Sequence, residues 1–324
     1  MCTAFTYCTK DFYFGRNLDY EYSYGETVTV TPRNYNFSDG LFSGSHYALV
    51  GMAYVQNGYP LYYDAANEHG LCMAGLNFPD YAMYLPYQED KKNIPPFAFI
   101  PWILGQCKTV RQAKELLKTT NLIHIPFSEE LPLTPLHWLI ADREETITVE
   151  PREHGLEVYD NAIGVLTNNP PFPMQLFALN NYPYLSKDAP SQQFCEKIPL
   201  HAYSRGLGAL GLPGDLSSQS RFIRGAFCRV NAYSENTEED SVGQFFHMLG
   251  FVEQPRGCVR LKPQVYEMTL YSSCINASQG IYYYTTYENR RICAVDMQKE
   301  NLDSKLLISY PLLKNQDMLF QNGG

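Results

Sequence analysis

The stretch MCTAFTYCTKDFYFGRNLDY (residues 1–20) begins the chain with two runs rich in Thr, Tyr and Phe and places a cysteine directly after Met1. These residue types predict strands over 2–9 and 11–15, and a hairpin would carry the second strand alongside the first. Removal of Met1 would leave Cys2 with both a thiol and a free α-amine, which joins a nucleophile and a proton acceptor in one residue. The start of the chain is therefore a candidate catalytic unit.

A cysteine in second position is common, so Cys2 needs support from elsewhere in the chain. An enzyme that uses it requires a nearby cation for the thiolate, a carboxylate for the amine and amide donors for an oxyanion. Arg16 and Asp19 follow the second predicted strand and could supply the first two, although the same pair could be a surface ion pair. Asn77 and Asn168 each follow an apolar strand and could supply the amides, although asparagine at a strand end is also ordinary turn chemistry.

The composition excludes several classes of function. The chain has 324 residues, 25 Lys+Arg against 34 Asp+Glu and a formal net charge of -9, which argues against nucleic acid as a partner. Its nine cysteines and seven histidines are scattered, without the clustered spacing of metal ligands. The longest apolar run, 97–104, is too short to span a membrane, and residues 1–16 lack the pattern of a secretory signal. We therefore expect a metal-free soluble cytoplasmic protein.

The order of the elements predicts the fold class. Further strands are expected at 26–33, 47–54 and 71–78, helices at 96–107 and after Thr109, and strands at 136–141, 146–150 and 162–167. Thr109 and Gln112 form a capping-box pattern. Helices near 220–233 and 241–249 precede strands at 265–273, 280–287 and 291–295. This order predicts an α+β sandwich in a single domain (1–324), with an irregular excursion over about 187–218.

Seven motifs in consistent order make the chain similar to a known family. They are MCTAFTY (1–7), FGRNLDYEYSYGE (14–26), CMAGLNFP (72–79), GVLTNNPPF (164–172), GLPGDLSSQSRFIR (211–224), QGIYYYTTYENR (279–290) and AVDMQKENLD (294–303). Together they resemble the choloylglycine hydrolase family of N-terminal-nucleophile hydrolases, and most of all its bile salt hydrolase branch. The resemblance runs from Met1 to about Asp303.

The resemblance implies a fold, a site and a reaction. The fold would be a four-layer αββα sandwich of two antiparallel sheets between helical layers. Cys2 would be the nucleophile, Arg16 and Asp19 would tune its thiol and amine, and Asn77 and Asn168 would hold the oxyanion. Arg221, which no spacing argument singles out, would complete the site. The reaction would be hydrolysis of glycine- or taurine-conjugated bile salts without metal or organic cofactor, by a homotetramer in the cytoplasm of a gut bacterium.

A steroid substrate requires a broad apolar mouth close to Cys2. Arg205, in the irregular segment, could pair with the acidic head group if it reaches the site from its own or a neighbouring subunit. Two alternatives stay open at this point, namely a penicillin V acylase with the same nucleophile, and a non-catalytic protein that binds bile salts or similar amphipaths. The candidates for the apolar wall are Leu18, Tyr20, Tyr24, Tyr59, Tyr63, Ala65, Phe127 and Leu133.

Overall fold

The computed structural model describes residues 1–322. Its α-helices, numbered in chain order, are α1 (Phe99–Leu104), α2 (Val110–Leu117), α3 (Phe172–Ala178), α4 (Ser218–Asn231) and α5 (Glu238–Gly250). Its strands are β1 (Cys2–Cys8), β2 (Phe12–Tyr20), β3 (Thr27–Thr31), β4 (Leu49–Gln56), β5 (Tyr59–Asn67), β6 (Cys72–Asn77), β7 (Lys92–Ile94), β8 (Thr120–Leu122), β9 (Leu136–Ala141), β10 (Thr146–Arg152), β11 (Gly155–Asp160), β12 (Val165–Leu166), β13 (Val259–Lys262), β14 (Val265–Asn276), β15 (Ile281–Thr286), β16 (Cys293–Asp296) and β17 (Ile308–Pro311).

Two large antiparallel sheets contain most of these strands. The first has the order β12-β1-β2-β14-β15-β16, with β13 paired to β14, and the second has the order β11-β10-β9-β6-β5-β4-β3-β17. In the first sheet, β2 lies between β1 and β14. Strand β1 therefore pairs with β2, and β2 pairs in turn with a strand from the C-terminal half of the chain. Strands β7 and β8 form a separate parallel pair.

Helices lie on the outer face of each sheet. Helices α4 and α5 contact β1, β12 and β14 of the first sheet, and α1 contacts β5 and β6 of the second. Apolar side chains of the two facing sheets, together with those of α4 and α5, form one buried cluster, and α1 and α2 pack with the other face of the second sheet in another. The architecture is the αββα sandwich that the resemblance implied.

Local sequence explains several of the elements. Asn57 and Gly58 both have positive φ values, 53° and 79°, which suit the two-residue turn that joins β4 to β5. Helix α2 begins after Thr109, whose side chain accepts a hydrogen bond from the Gln112 backbone N–H, so the predicted N-cap is confirmed. In a full capping box the Gln112 side chain would also accept from the Thr109 backbone N–H. Here Gln112 Oε1 accepts from the Lys108 backbone N–H instead.

Some predicted bounds were wrong. Strand β2 continues to Tyr20 and does not end at Gly15, because its ladder with β1 runs to Leu18 and β14 also pairs with Asp19 and Tyr20. The expected helix at 96–107 is shorter, and strand β12 has only two residues. Helix α3, which begins after the two prolines of NNPPF, was not predicted. Residues 187–217 contain only a short 3₁₀ turn and are largely exposed, as an irregular excursion requires.

Candidate active site

Strand pairing brings Arg16 to the Cys2 thiol. Cys2 lies opposite Leu18 in the β1–β2 ladder, and Arg16, two residues away, donates from Nη2 to Sγ at 2.5 Å. The Arg16 side chain is fully buried, and Nη1 donates to the carbonyl oxygens of Tyr63, at 3.1 Å, and Gly75. Burial acts to lower the pKa of Arg16, but the neighbouring thiol and acidic groups outweigh it and raise that pKa. The thiol therefore faces a permanent, desolvated cation.

Asp19 lies beside the N-terminus with part of its carboxylate unpaired. Its Oδ1 accepts from Thr269 Oγ1 at 2.6 Å, whereas the buried Oδ2 has no hydrogen-bond partner among the described residues and lies 4.0 Å from Arg221 Nη1. Burial raises the pKa of Asp19, and the positive charge of Arg221 opposes that rise. An unpaired oxygen at this position could accept a hydrogen bond from the α-amine of Cys2 once that amine is free.

Arg221 and Asn168 fix the backbone of Cys2. Arg221 is fully buried and donates from Nη1 to the Cys2 carbonyl oxygen and to Thr3 Oγ1, each at 2.5 Å, and from Nη2 to Asn168 Oδ1 at 2.8 Å. The same Oδ1 accepts from the Cys2 backbone N–H at 2.8 Å. A guanidinium on α4 and an amide at the end of β12 therefore hold both backbone polar groups of the proposed nucleophile.

The two asparagines meet beside Cys2. Asn168 Nδ2 donates to the Asn77 carbonyl oxygen at 2.7 Å, which leaves the second N–H of this amide without a partner within the described chain. The side chain of Asn77 makes no hydrogen bond with the described residues and lines the same cavity as Cys2. Asn77 therefore lines the cavity beside the thiol, and Asn168 lies against the Cys2 backbone with one N–H unpaired among the described residues.

Met1 occupies the position next to the thiol. Its α-ammonium donates to the Asp19 carbonyl oxygen at 2.8 Å and forms an ion pair with the Glu267 carboxylate. Burial lowers the pKa of this ammonium group. While Met1 is present, the Cys2 nitrogen is an amide nitrogen and cannot accept the thiol proton.

A cavity of about 590 Å³ lies at the thiol. Its wall is mainly apolar and includes Met1, Cys2, Arg16, Asp19, Asn77 and Glu267. The volume falls within the range of about 300–1,000 Å³ typical of small-molecule sites. Among the predicted wall residues, the cavity is lined by Leu18, Tyr20, Tyr24, Tyr63, Phe127 and Leu133.

Three predicted substrate contacts do not line this cavity. Tyr59 is 1% exposed, donates to Asp39 and packs on Phe37, so it belongs to the core. Ala65 is fully buried on the face of β5 that packs toward α1. Arg205 is exposed in the irregular segment and is not among the residues of its own chain that line the cavity. The two core positions were mistaken because a loop-flanking position does not reveal which face of the strand is buried.

Sequence reasoning missed polar groups that support the site. Asp64 is fully buried between the sheets and accepts hydrogen bonds from Tyr271, Tyr282 and Ser273 at 2.6, 2.8 and 3.0 Å. Ser273 Oγ also accepts from the Arg16 backbone N–H, so this carboxylate is connected to the arginine that contacts the thiol. Glu267 was also missed, since an acidic residue within a strand carries no local signal of function.

No helix in residues 1–322 is both long and apolar enough to cross a bilayer. The same residues contain no cluster of three or more His, Cys, Asp or Glu side chains suited to a metal ion. The polar side chains that line the cavity beside the thiol include the Arg16 guanidinium, the Asp19 and Glu267 carboxylates and the Asn77 amide, while Arg221 and Asn168 contact the Cys2 backbone. These groups are suited to attack on a carbonyl carbon and to stabilisation of the resulting oxyanion.

The fold and the position of the site define a class of protein. Two antiparallel sheets packed face to face between helical layers, with a cysteine at the start of an inner strand of one sheet, are the arrangement of the N-terminal-nucleophile hydrolases.

Comparison with known proteins identifies the family. A family model described as linear amide C–N hydrolases, choloylglycine hydrolase family, matches residues 2–310. The chain is 54% identical over 314 residues to the bile salt hydrolase/transferase of Lactiplantibacillus plantarum, which covers 96% of this chain and 97% of that relative. It is 41% identical over 317 residues to the bile salt hydrolase/transferase of Clostridium perfringens, with 96% of each covered. The chain therefore belongs to the choloylglycine hydrolase family and is an enzyme of the amide C–N hydrolase class.

Solved structures agree with this assignment. A variant of conjugated bile acid hydrolase from Clostridium perfringens superposes with a TM-score of 0.91 at 40% identity, covering 99% of this chain and 100% of that one. Penicillin V acylase from Agrobacterium tumefaciens superposes with a TM-score of 0.76 at 20% identity, covering 98% and 94%. The second similarity shows a shared fold alone.

Proposed function

We propose that this protein hydrolyses the amide bond of glycine- or taurine-conjugated bile salts, with Cys2 as the nucleophile once Met1 is removed. The observation that carries the proposal is the Arg16 guanidinium, fully buried and 2.5 Å from the Cys2 thiol at the floor of a largely apolar cavity. The relatives named as bile salt hydrolases support the substrate class.

The residues at the cavity floor suit each step of acyl transfer. The freed α-amine of Cys2 takes the thiol proton, and Sγ attacks the carbonyl carbon of the amide. The oxyanion is held by the free N–H groups of Asn77 and Asn168, and each such donor typically contributes about 2.7–4 kcal/mol to transition-state stabilisation. Collapse releases the amino acid, and water activated by the same amine hydrolyses the thioester.

The apolar wall supports a steroid as the acyl group. Burial of about 300 Å² of apolar substrate surface would contribute on the order of 7 kcal/mol at about 25 cal/mol per Å², before the cost of ordering the ligand. Most binding free energy would then come from the steroid. The amino acid head would contribute less to affinity and more to selectivity.

The proposal is tested by the turnover of three substrates and by two cysteine variants. The mass of the purified chain first establishes that Met1 is absent. We expect release of glycine from glycocholate and of taurine from taurocholate at rates well above the hydrolysis of penicillin V. Cys2→Ala should abolish release, whereas Cys8→Ala, an exposed cysteine at the far end of the same strand, should retain it.

Three outcomes would reject the proposal. Faster turnover of penicillin V would favour the acylase alternative. Bile salt binding without turnover by the Met1-free parent would favour the non-catalytic amphipath binder. Release by Cys2→Ala at the parental rate would exclude the thiol mechanism.

The homotetramer and the cytoplasmic location in a bacterium also stay predictions. The irregular segment supports an oligomer contact, because Phe194 is 84% exposed and Tyr203 is 83% exposed there. Light scattering of the parent and of a Phe194→Ser, Tyr203→Ser double variant would test the contact. We expect four copies for the parent and a smaller assembly for the variant, and a monomeric parent would contradict the prediction.

A further inference from the structure

One fully buried histidine has no role in the reaction described above. His137, on β9, does not line the cavity and lies opposite Leu76 in the β6–β9 ladder, one residue before Asn77. Both of its ring nitrogens and one face of its ring make contacts. Two of these contacts lead to the segments that carry the proposed oxyanion donors, Asn77 and Asn168.

The first contact holds the peptide unit that precedes Asn168. His137 Nε2 lies 2.8 Å from the Thr167 carbonyl oxygen, which can only accept, so Nε2 carries a proton and donates. The N–H of the same peptide unit, that of Asn168, donates to Ser218 Oγ at 2.8 Å. Because a peptide unit is planar, these two hydrogen bonds fix its orientation and the point from which the Asn168 side chain leaves the backbone.

The second contact holds the residue that follows Asn77. The imidazole ring of His137 stacks on Phe78, with ring centroids 4.2 Å apart and an angle of 5° between the planes. Phe78 is itself fully buried, so its ring has little room to move. One imidazole ring therefore contacts the residue directly after Asn77 and the residue directly before Asn168.

Glu150 orients this ring from its other side. His137 Nδ1 lies 3.2 Å from Glu150 Oε1, which also accepts from the Phe172 backbone N–H at 2.8 Å. Both side chains are fully buried. A single proton shared between Nδ1 and Oε1 satisfies this contact and leaves the pair without net charge, as burial requires. Nε2 then keeps its own proton for Thr167.

We propose that His137 is a positioning residue, which fixes the Asn77 and Asn168 amides relative to each other so that both can donate to one oxyanion. This inference rests on the proposed function. The direct bond from Asn168 Nδ2 to the Asn77 carbonyl oxygen joins the two segments, but it does not fix the backbone of either one. Oxyanion donors stabilise the transition state only when they are held in place before the charge develops.

This role predicts a specific kinetic effect. His137 is separated from the substrate by the residues it holds, so its loss should weaken the transition state and leave substrate binding nearly unchanged. His137→Phe keeps an aromatic ring against Phe78 but removes the donor to Thr167. In Met1-free protein we expect kcat and kcat/KM for taurocholate each to fall about 100-fold, with KM within about twofold of the parent.

Restoring the donor should restore activity. The amide of His137→Gln can donate to the Thr167 carbonyl oxygen, so this variant should turn over taurocholate at least about tenfold faster than His137→Phe. The shorter amide of His137→Asn can reach Glu150 but not Thr167. Its kcat should be at least about tenfold below that of His137→Gln, and this comparison carries the test if His137→Phe does not fold.

His46→Phe is the matched control. His46 is also a buried histidine, and its ring nitrogens contact the carbonyl oxygens of Tyr47 and Tyr35 at 2.8 and 3.1 Å. It packs on Phe37 and does not line the cavity. This variant should lower the melting temperature as His137→Phe does but keep the parental kcat, which separates a loss of stability from a loss of positioning.

Several results would overturn the inference. They are a kcat for His137→Phe within about threefold of the parent, a rise in KM that accounts for the whole loss of kcat/KM, an equal loss of kcat in His46→Phe, and equal kcat values for His137→Gln and His137→Asn. Failure of the Met1-free parent to hydrolyse taurocholate would instead reject the proposed function.

Discussion

Replacement of Arg221 by lysine tests whether the buried guanidinium organises the N-terminal strand. Arg221 makes four hydrogen bonds from three nitrogens, to Leu216 O, Cys2 O, Thr3 Oγ1 and Asn168 Oδ1. A lysine ammonium keeps the charge but donates from a single point, so we expect at least two of these bonds to be lost. At about 1.5–3 kcal/mol for each bond to a charged group, the variant should lose about 3–6 kcal/mol of stability.

This loss converts to a measurable change in melting temperature. Unfolding entropies of about 2.1 cal/mol/K per residue give about 0.7 kcal/mol/K for a chain of 324 residues. Arg221→Lys should therefore melt about 4–9 °C below the parent in a calorimeter. Because Asn168 and the Cys2 carbonyl would both shift, we also expect kcat/KM for glycocholate to fall about 100-fold.

Arg224→Lys provides the control for this prediction. Arg224 lies one turn further along α4 and donates from Nη1 to Pro213 O and Asp215 O, away from Cys2. Its replacement should lower the melting temperature less and leave kcat/KM near the parental value. Equal melting temperatures for Arg221→Lys and the parent would refute the account of Arg221 as the group that holds the strand.

Three further substitutions test the surroundings of the site. Burial raises the pKa of Asp64, so ionisation of this side chain opposes folding. The stability of the parent relative to Asp64→Asn should therefore decrease as pH rises from about 4 toward 7. Urea midpoints of the two proteins measure this difference. Hydrogen bonds from Ser217 lower the pKa of Asp215 to about 2, so the ionised Asp215 side chain stabilises the folded protein. The parent should therefore be more stable than Asp215→Asn above about pH 4, and this difference should vanish as pH falls toward 2. Gly15→Ala would place its Cβ against the Ser273 carbonyl oxygen, and we expect its urea midpoint to reveal a loss of about 3 kcal/mol.

Local patterns predicted the elements that local interactions determine. The N-cap at Thr109 depends on neighbouring residues alone, and it was predicted and confirmed. The end of β2 was predicted wrongly because the ladder with β1 continues to Leu18, and pairing with β14, more than 240 residues away in sequence, also includes Asp19 and Tyr20. The amphipathic pattern of a strand likewise does not distinguish a cavity wall from a core, which explains the errors at Tyr59 and Ala65.

By itself, the sequence determined a candidate nucleophile, candidate helpers at Arg16, Asp19, Asn77 and Asn168, and an α+β sandwich, because these follow from residue types and their order. Arg221 and the αββα layers followed from the motifs that make the chain resemble its family. The tertiary structure alone decided which groups meet. It showed that Arg221 and Asn168 hold the Cys2 backbone and that Glu267 binds the Met1 ammonium. The physical reason is that such contacts depend on the packing of distant strands and helices, and no local pattern encodes the distance between atoms that lie more than 200 residues apart along the chain.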